Sequence, residues 1–189
     1  MPERILCLIR HPPVAVPSGV CYGASDVPLA ADPRPVATAL RPRLPADFRL
    51  VSSPASRCLD LAHALAPAPL IDVRLSEIDF GDWELRRFDD LPRAEIDRWA
   101  ADAWGFSPPR GESTDTMARR VWAAWLDFGA DNTDNWAIVS HGGPLRVIAG
   151  ILLDLPREDW LNIDCPQGGL LRLTLPCDGT RARLDATYK

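Results

Sequence analysis

The sequence predicts an α/β fold: a three-layer α/β/α sandwich around a mostly parallel sheet. Three observations lead there. Short apolar runs alternate along the chain with longer helical segments, the order that builds a parallel sheet. The first run, Ile5-Leu6-Cys7-Leu8-Ile9, is apolar at every position, as a strand covered on both faces must be. The runs end in Arg10-His11, Ser52-Ser53-Pro54 and Ser140-His141-Gly142-Gly143, which is loop and helix-start chemistry.

In chain order, residues 5–9 form the first strand, and a loop then runs to about residue 29. A helix is expected over residues 35–44, interrupted by Pro42. Residues 48–52 make the second strand. Pro54 opens a helix that runs to residue 65, with Ser53 as its cap. Residues 70–73 are a third strand. The segment 77–84 (EIDFGDWE) is too polar for a core element and reads as a loop, with Asp79, Asp82 and Glu84 solvated. Two helices follow, over residues 91–103 and 114–128, the second capped by Ser113. Residues 136–140 are the fourth strand, and His141 begins a helix to about residue 153. Residues 170–175 and 181–186 alternate as a hairpin about Asp178-Gly179, leaving an edge at which a second copy could pair as a homodimer.

A chain of 189 residues suits one domain, residues 1–189, with a core that needs no covalent staples. A net charge of −5 gives no basic footprint, which argues against nucleic acid or a membrane surface as partner. A small phosphorylated metabolite remains compatible, because one phosphate needs only a few local cations. Five cysteines, none in a C-x-x-C pair, suggest neither a disulfide framework nor a zinc site. No signal peptide or membrane-spanning run is expected, and the cytoplasm is the expected location. The three histidines lack metal-ligand spacing and no G-x-x-x-x-G-K-[ST] loop occurs, so neither metal nor cofactor is expected.

The three run endings belong at one edge of the sheet. In open α/β sheets ligands bind beyond the carboxyl ends of the strands. A helix beginning at Gly142 also offers free N–H groups and a positive dipole end to an anion. Arg57 falls in the first turn of the helix after the second strand, aimed at the same edge. Two arginines and two histidines converging on one point suit a phosphoryl group, with guanidinium donors for its oxygens and a nitrogen nucleophile. Any one of these pieces alone is usually a solvated turn; their joint placement carries the reading. His63, amid alanines and leucines in a helix, reads as structural, and Trp99, Trp104, Trp122 and Trp125 as core with some walling a pocket.

The ordered motifs resemble the histidine phosphatase superfamily, which includes the cofactor-dependent phosphoglycerate mutases. They are Leu8-Ile9-Arg10-His11, Tyr22-Gly23-x-x-Asp26-x-Pro28-Leu29, Ser52-Ser53-Pro54-x-x-Arg57, Leu75-x-Glu77 through Glu84, Gly111-Glu112-Ser113 and Val139-Ser140-His141-Gly142-Gly143. The Tyr22 and Glu77 motifs look most like the α-ribazole phosphatase branch of cobalamin synthesis. The resemblance implies a phosphoglycerate mutase-like fold and a phosphatase acting on a small phosphate monoester, α-ribazole 5'-phosphate being one candidate. It implies that His11 is the phosphorylated nucleophile, that Arg10 and Arg57 bind phosphoryl oxygens, and that His141 donates to the same group. Glu77 is implied as general acid, then base. Tyr22, Gly23, Gly142 and Glu112 are the expected substrate contacts, although Glu112 also reads as a residue flanking a helix start.

Departures from the family pattern fall beside the pocket. Pro12 replaces the usual Gly after the nucleophile and brings no backbone N–H. Pro17-Ser18 stand where mutases commonly offer Asn, and Leu85 where Gly is usual. These point to a reshaped substrate loop and away from a mutase. A mutase-type phosphotransferase and a non-catalytic binder of phosphorylated ligands are the alternatives.

Overall fold

The computed structural model describes residues 3–129, 134–176 and 181–189. Its sheet has six strands: β1 (Arg4–Arg10), β2 (Arg49–Ser52), β3 (Leu70–Ile71), β4 (Trp136–Ser140), β5 (Leu170–Leu175) and β6 (Arg183–Tyr188). They lie in the order β3-β2-β4-β1-β5-β6. The first four are mutually parallel, while β5 and β6 are antiparallel. The helices are α1 (Arg34–Leu40), α2 (Ser56–Leu65), α3 (Arg93–Ala101), α4 (Thr114–Gly129) and α5 (Gly142–Leu152).

The alternation of side chains along β1 divides the core. Leu6 and Leu8 join Met117, Val121 and Trp125 of α4 and Leu145 and Ile148 of α5 on one face. Cys7 and Ile9 join Ala37 and Leu40 of α1 and Cys58, Leu61 and Leu65 of α2 on the other. Both faces are covered, so the continuous apolar run is satisfied as a central strand and the three-layer sandwich holds. Each fully buried Leu or Ile contributes about 1.5–3 kcal/mol relative to exposure. The exposed ion pairs, such as Arg34–Asp32, contribute about 0–1 kcal/mol each. Packing therefore dominates the stability.

Several boundaries differ from expectation for local reasons. α1 stops at Leu40 and continues as a 3-10 turn over Arg41–Arg43, because Pro42 has no N–H to extend the α-helical ladder. β3 is only two residues long; Asp72 then accepts a hydrogen bond from the Arg74 amide and starts a 3-10 turn over Val73–Leu75. α3 is confined to Arg93–Ala101, with Pro92 at its N-cap. Ser113 does cap α4, its Oγ accepting from the Thr116 amide at 3.2 Å. The hairpin strands pair as expected, whereas Cys177 and the turn Asp178-Gly179 lie outside the described residues. His63 is not structural: it is exposed on the solvent side of α2. No described helix is long and apolar enough to cross a membrane.

A third, small cluster sits over one edge of the sheet. Buried Cys21, Trp83 and Leu91 pack with Phe80, Ile96, Trp99 and Phe106. Trp83 donates from Nε1 to Glu95 at 2.7 Å, which fixes α3 against the 77–84 segment. Leu85 follows it at φ 61°. That left-handed backbone explains why Gly suits this position, and Leu accepts a cost of about 1–2 kcal/mol to hold it.

Candidate active site

Strand register brings the site together. Arg10 pairs with Ser140 across β1 and β4, and Ser52 with Val139 across β2 and β4. The next residues, His11, Ser53 and His141, therefore emerge side by side at the carboxyl edge. The His11 amide donates to the Ser140 carbonyl at 3.1 Å, and the Ser53 amide to Val139 at 2.9 Å. His11 and His141 stand edge to face with ring centroids 5.2 Å apart.

His11 is almost wholly buried. Its Nδ1 lies 2.7 Å from the Pro12 carbonyl oxygen, which can only accept, so Nδ1 carries the proton and the Nε2 lone pair is left for chemistry. Desolvation holds its pKa down at about 4, with the Arg57 and Arg10 cations adding to the effect and the Pro12 hydrogen bond opposing it. At neutral pH the ring is uncharged. Pro12 thus serves through its carbonyl, and its missing N–H costs this arrangement nothing.

His141 is neutral too, its pKa driven well below 6.5 by burial and then by Arg57 and His11. Its Nε2 lies 2.8 Å from Ser53 Oγ, and Cys58 Sγ is 3.5 Å from the same atom. This corrects the expectation that Ser53 caps α2: the hydroxyl is turned to the histidine, and the N-cap is Ala55 without side-chain capping. Asp26 instead accepts from the Ser56 amide at 2.9 Å and the Ser56 hydroxyl at 2.8 Å, tying the 22–29 loop to the helix start. A phosphoryl oxygen would share or replace Ser53 as partner of the His141 ring.

The depressed pKa of His11 sets a stability prediction. Unfolded histidine takes up its proton as pH falls through about 6.5, whereas native His11 resists until about 4. Between those values the unfolded state binds more protons, so stability falls as pH falls. We expect the urea midpoint to drop steadily from pH 7 to pH 4.5, and His11→Asn to flatten that slope. An unchanged slope in the variant would contradict a buried neutral His11.

Among the described residues, the arginines are held by carbonyls rather than carboxylates. Arg57 is fully buried, donating from Nη2 to the Gly23 carbonyl at 2.6 Å and from Nη1 to Ser25 at 2.8 Å. Tyr22 places its ring 5.6 Å from the guanidinium carbon. Arg10 donates from Nη1 to the Cys165 carbonyl at 2.8 Å. In both residues Nε is buried and lacks a partner among the described residues. Two cations, each with an orphaned donor, beside two neutral imidazoles make a site for an anion. A Cβ on Gly142 would come within 2.8 Å of Arg146 Nη1 and 3.3 Å of the Arg10 guanidinium carbon, so glycine makes room for both arginines.

Glu77 faces the start of α5. Its Oε2 accepts from the Gly143 amide at 3.2 Å and its Oε1 from the Ile78 amide at 3.0 Å. A Cβ on Gly143 would overlap the Glu77 carboxylate. Successive glycines thus admit Arg10 on one side and Glu77 on the other. Arg120, which sequence reasoning missed, positions this loop: it donates to the Arg74 and Ser76 carbonyls at 2.7 Å each and to Glu77 at 3.0 Å.

Glu112, expected as a substrate contact, has both oxygens engaged, by Arg120 and by the Asp79 amide at 3.1 Å. Glu84 is not solvated. It accepts from the amides of Gly23, Ala24 and Phe80 at 3.0 Å and of Ser25 at 3.2 Å. The loop whose carbonyls grip Arg57 is therefore pinned by Glu84. Asp79 likewise accepts from Gly81 at 2.8 Å, while Asp82 pairs with Arg110. The signal in the sequence was the crowding of acidic residues around a glycine turn, where carboxylates cap amides.

A profile of the histidine phosphatase superfamily (branch 1) matches residues 6–186. The chain belongs to the histidine phosphatase superfamily. The adenosylcobalamin/alpha-ribazole phosphatase of Salmonella typhimurium is 33% identical over 99 residues, covering 50% of this chain and 48% of that protein. The alpha-ribazole phosphatase from Shigella flexneri superposes with a TM-score of 0.84 at 27% identity, covering 98% of this chain and 96% of that one. A mycobacterial glucosyl-3-phosphoglycerate phosphatase, in complex with VO3, gives 0.79 at 26% identity over 97% of this chain and 98% of its own. The chain spans between about a third and two thirds of the length of the curated relatives it matches. The mutase-like α/β fold read from the motifs is thereby established for this histidine phosphatase family member.

Proposed function

We propose that this protein is a metal-independent phosphatase that hydrolyses a small-molecule phosphate monoester through phosphohistidine at His11. The observation that carries the reading is the pair of orphaned guanidinium nitrogens, Arg10 Nε and Arg57 Nε, beside a buried neutral His11 with Nε2 free. Fixed cations around the phosphoryl oxygens supply the charge stabilisation that such transfers need.

In the first step His11 Nε2 attacks phosphorus, the bond to the ester oxygen breaks, and protonated Glu77 gives its proton to the leaving alkoxide. In the second, Glu77 carboxylate takes a proton from water as its oxygen attacks phosphorus. The N–P bond then breaks, inorganic phosphate leaves, and His11 is neutral again. Backbone amides of Ile78 and Gly143 hold Glu77 in place for both steps.

The relatives named alpha-ribazole phosphatase make α-ribazole 5'-phosphate, and with it cobalamin synthesis, the first substrate to assay. The glucosyl-3-phosphoglycerate phosphatases make a second. Free thiols at Cys7, Cys21, Cys58 and Cys165 suit a reducing compartment such as the cytoplasm. The test is hydrolysis of an aryl phosphate with chelator present. Glu77→Gln should lower kcat by about 10²–10⁴-fold. Loss of wild-type turnover on chelation would refute metal independence.

A further inference from the structure

Beside Glu77 lies a cavity of about 190 Å³ whose walls include Tyr22, Ile78, Phe80, Trp99, Met117 and Leu161. We propose that it is a leaving-group pocket selecting phosphate esters of uncharged alcohols that carry one apolar ring, over phosphorylated hydroxy acids. The proposal rests on the phosphatase reading above and adds the class of alcohol.

Position assigns the cavity to the leaving group. Gly143 and Glu77, which line it, touch each other, while Gly142 adjoins Arg10. Tyr22 spans the two regions, with its ring against Arg57 and its side chain in the cavity wall. A phosphoryl group held by the arginines thus directs its ester oxygen toward Glu77 and the remainder of the alcohol into this space.

Chemistry sets the class. Among the described residues, no arginine, lysine or histidine lines the cavity, and the carboxyl group there is Glu77 itself. A substrate carboxylate would enter beside another carboxyl group with no cation to pair with, and burial without such a partner is costly. Of the wall hydroxyls, Thr114 donates to the Ala103 carbonyl at 2.7 Å and Tyr22 accepts from the Gln167 side chain at 3.3 Å. Size agrees, since an apolar cavity of about 150 Å³ holds a benzene ring.

The aromatic wall is rigid. Trp99 meets Phe80 and Trp83 edge to face at 6.3 and 5.7 Å and stacks on Phe88 at 6.2 Å. Of the four tryptophans that the sequence grouped together, Trp99 is the one lining the cavity. A fixed ring face presents apolar area without the entropy cost of ordering a mobile side chain.

The test compares ethyl phosphate, 2-phenylethyl phosphate and 3-phosphoglycerate on the intact protein; all three are esters of alcohols, so leaving-group chemistry differs little. We expect kcat/KM for 2-phenylethyl phosphate to exceed that for ethyl phosphate by about 10- to 100-fold, with 3-phosphoglycerate lowest. Leu161→Arg, at a rim position that is 41% exposed, should raise 3-phosphoglycerate relative to 2-phenylethyl phosphate. Trp99→Ala should shrink the phenylethyl-to-ethyl ratio. Equal turnover of the phenylethyl and ethyl esters, or a preference for 3-phosphoglycerate, would overturn the pocket assignment and leave the phosphatase intact. No turnover of any monoester would overturn both.

Discussion

His11→Ala is expected to abolish phosphatase turnover, a loss of about 10⁴-fold or more, because groups that act as one unit fail together. Arg10, Arg57 and Glu77 can bind and protonate an ester, but none replaces the Nε2 lone pair that forms the N–P bond. Binding should survive. Both orphaned guanidinium nitrogens remain in the variant, so inorganic phosphate should still raise its thermal midpoint, as any ligand of the native state does. Brief incubation of the wild type with a ³²P-labelled ester should give acid-labile protein label that the variant lacks. Label retained by His11→Ala, or turnover above about one hundredth of wild type, would place the nucleophile elsewhere.

Arg57→Met is expected to lower kcat/KM by about 10³–10⁵-fold, the range that a transition-state arginine supplies in phosphoryl transfer. It should also erase the stabilisation by inorganic phosphate that His11→Ala keeps. Arg57 is fully buried, and its Nη atoms are already committed to the Gly23 and Ser25 carbonyls. Its value to an anion lies in the remaining Nε and in a charge that no carboxylate cancels. Lysine cannot hold two carbonyls and still face an anion with the same rigidity, so Arg57→Lys should be impaired as well. Losing the guanidinium leaves two carbonyls without donors, so a urea titration must first show that the variant is folded. A folded Arg57→Met protein with less than a tenfold loss would contradict the anion site.

The sequence revealed the site through its strand ends. Arg10-His11, Ser53 and His141 are each one step from a buried strand, and a parallel sheet brings such ends to one edge whatever lies between them. Glycines 142 and 143 announced close approaches, though not that Arg10 and Glu77 are what approach. The support of the site was less legible. Glu84 and Glu112 look like solvated carboxylates, and Arg120 like any arginine on a helix, because a hydrogen bond to a backbone amide or carbonyl leaves no mark on residue type. Ser53 was misassigned for the same reason: a serine before a helix can cap it or turn away, and the choice depends on whether His141 lies nearby.

By itself the sequence determined the α/β class, the order of the strands along the chain and the candidate site residues Arg10, His11, Arg57, Glu77 and His141. Those follow from local pattern: apolar runs, turn residues, and motifs in a fixed order. Only the tertiary structure decided what each of those groups is able to do. It set the proton on Nδ1 of His11 through the Pro12 carbonyl, left Nε unpaired on both arginines, and closed an apolar cavity beside Glu77. The physical reason is that protonation, orphaned donors and cavity shape depend on neighbours brought together by packing across the sheet. Arg10 meets the Cys165 carbonyl across 155 positions of chain, a distance over which no local pattern reaches.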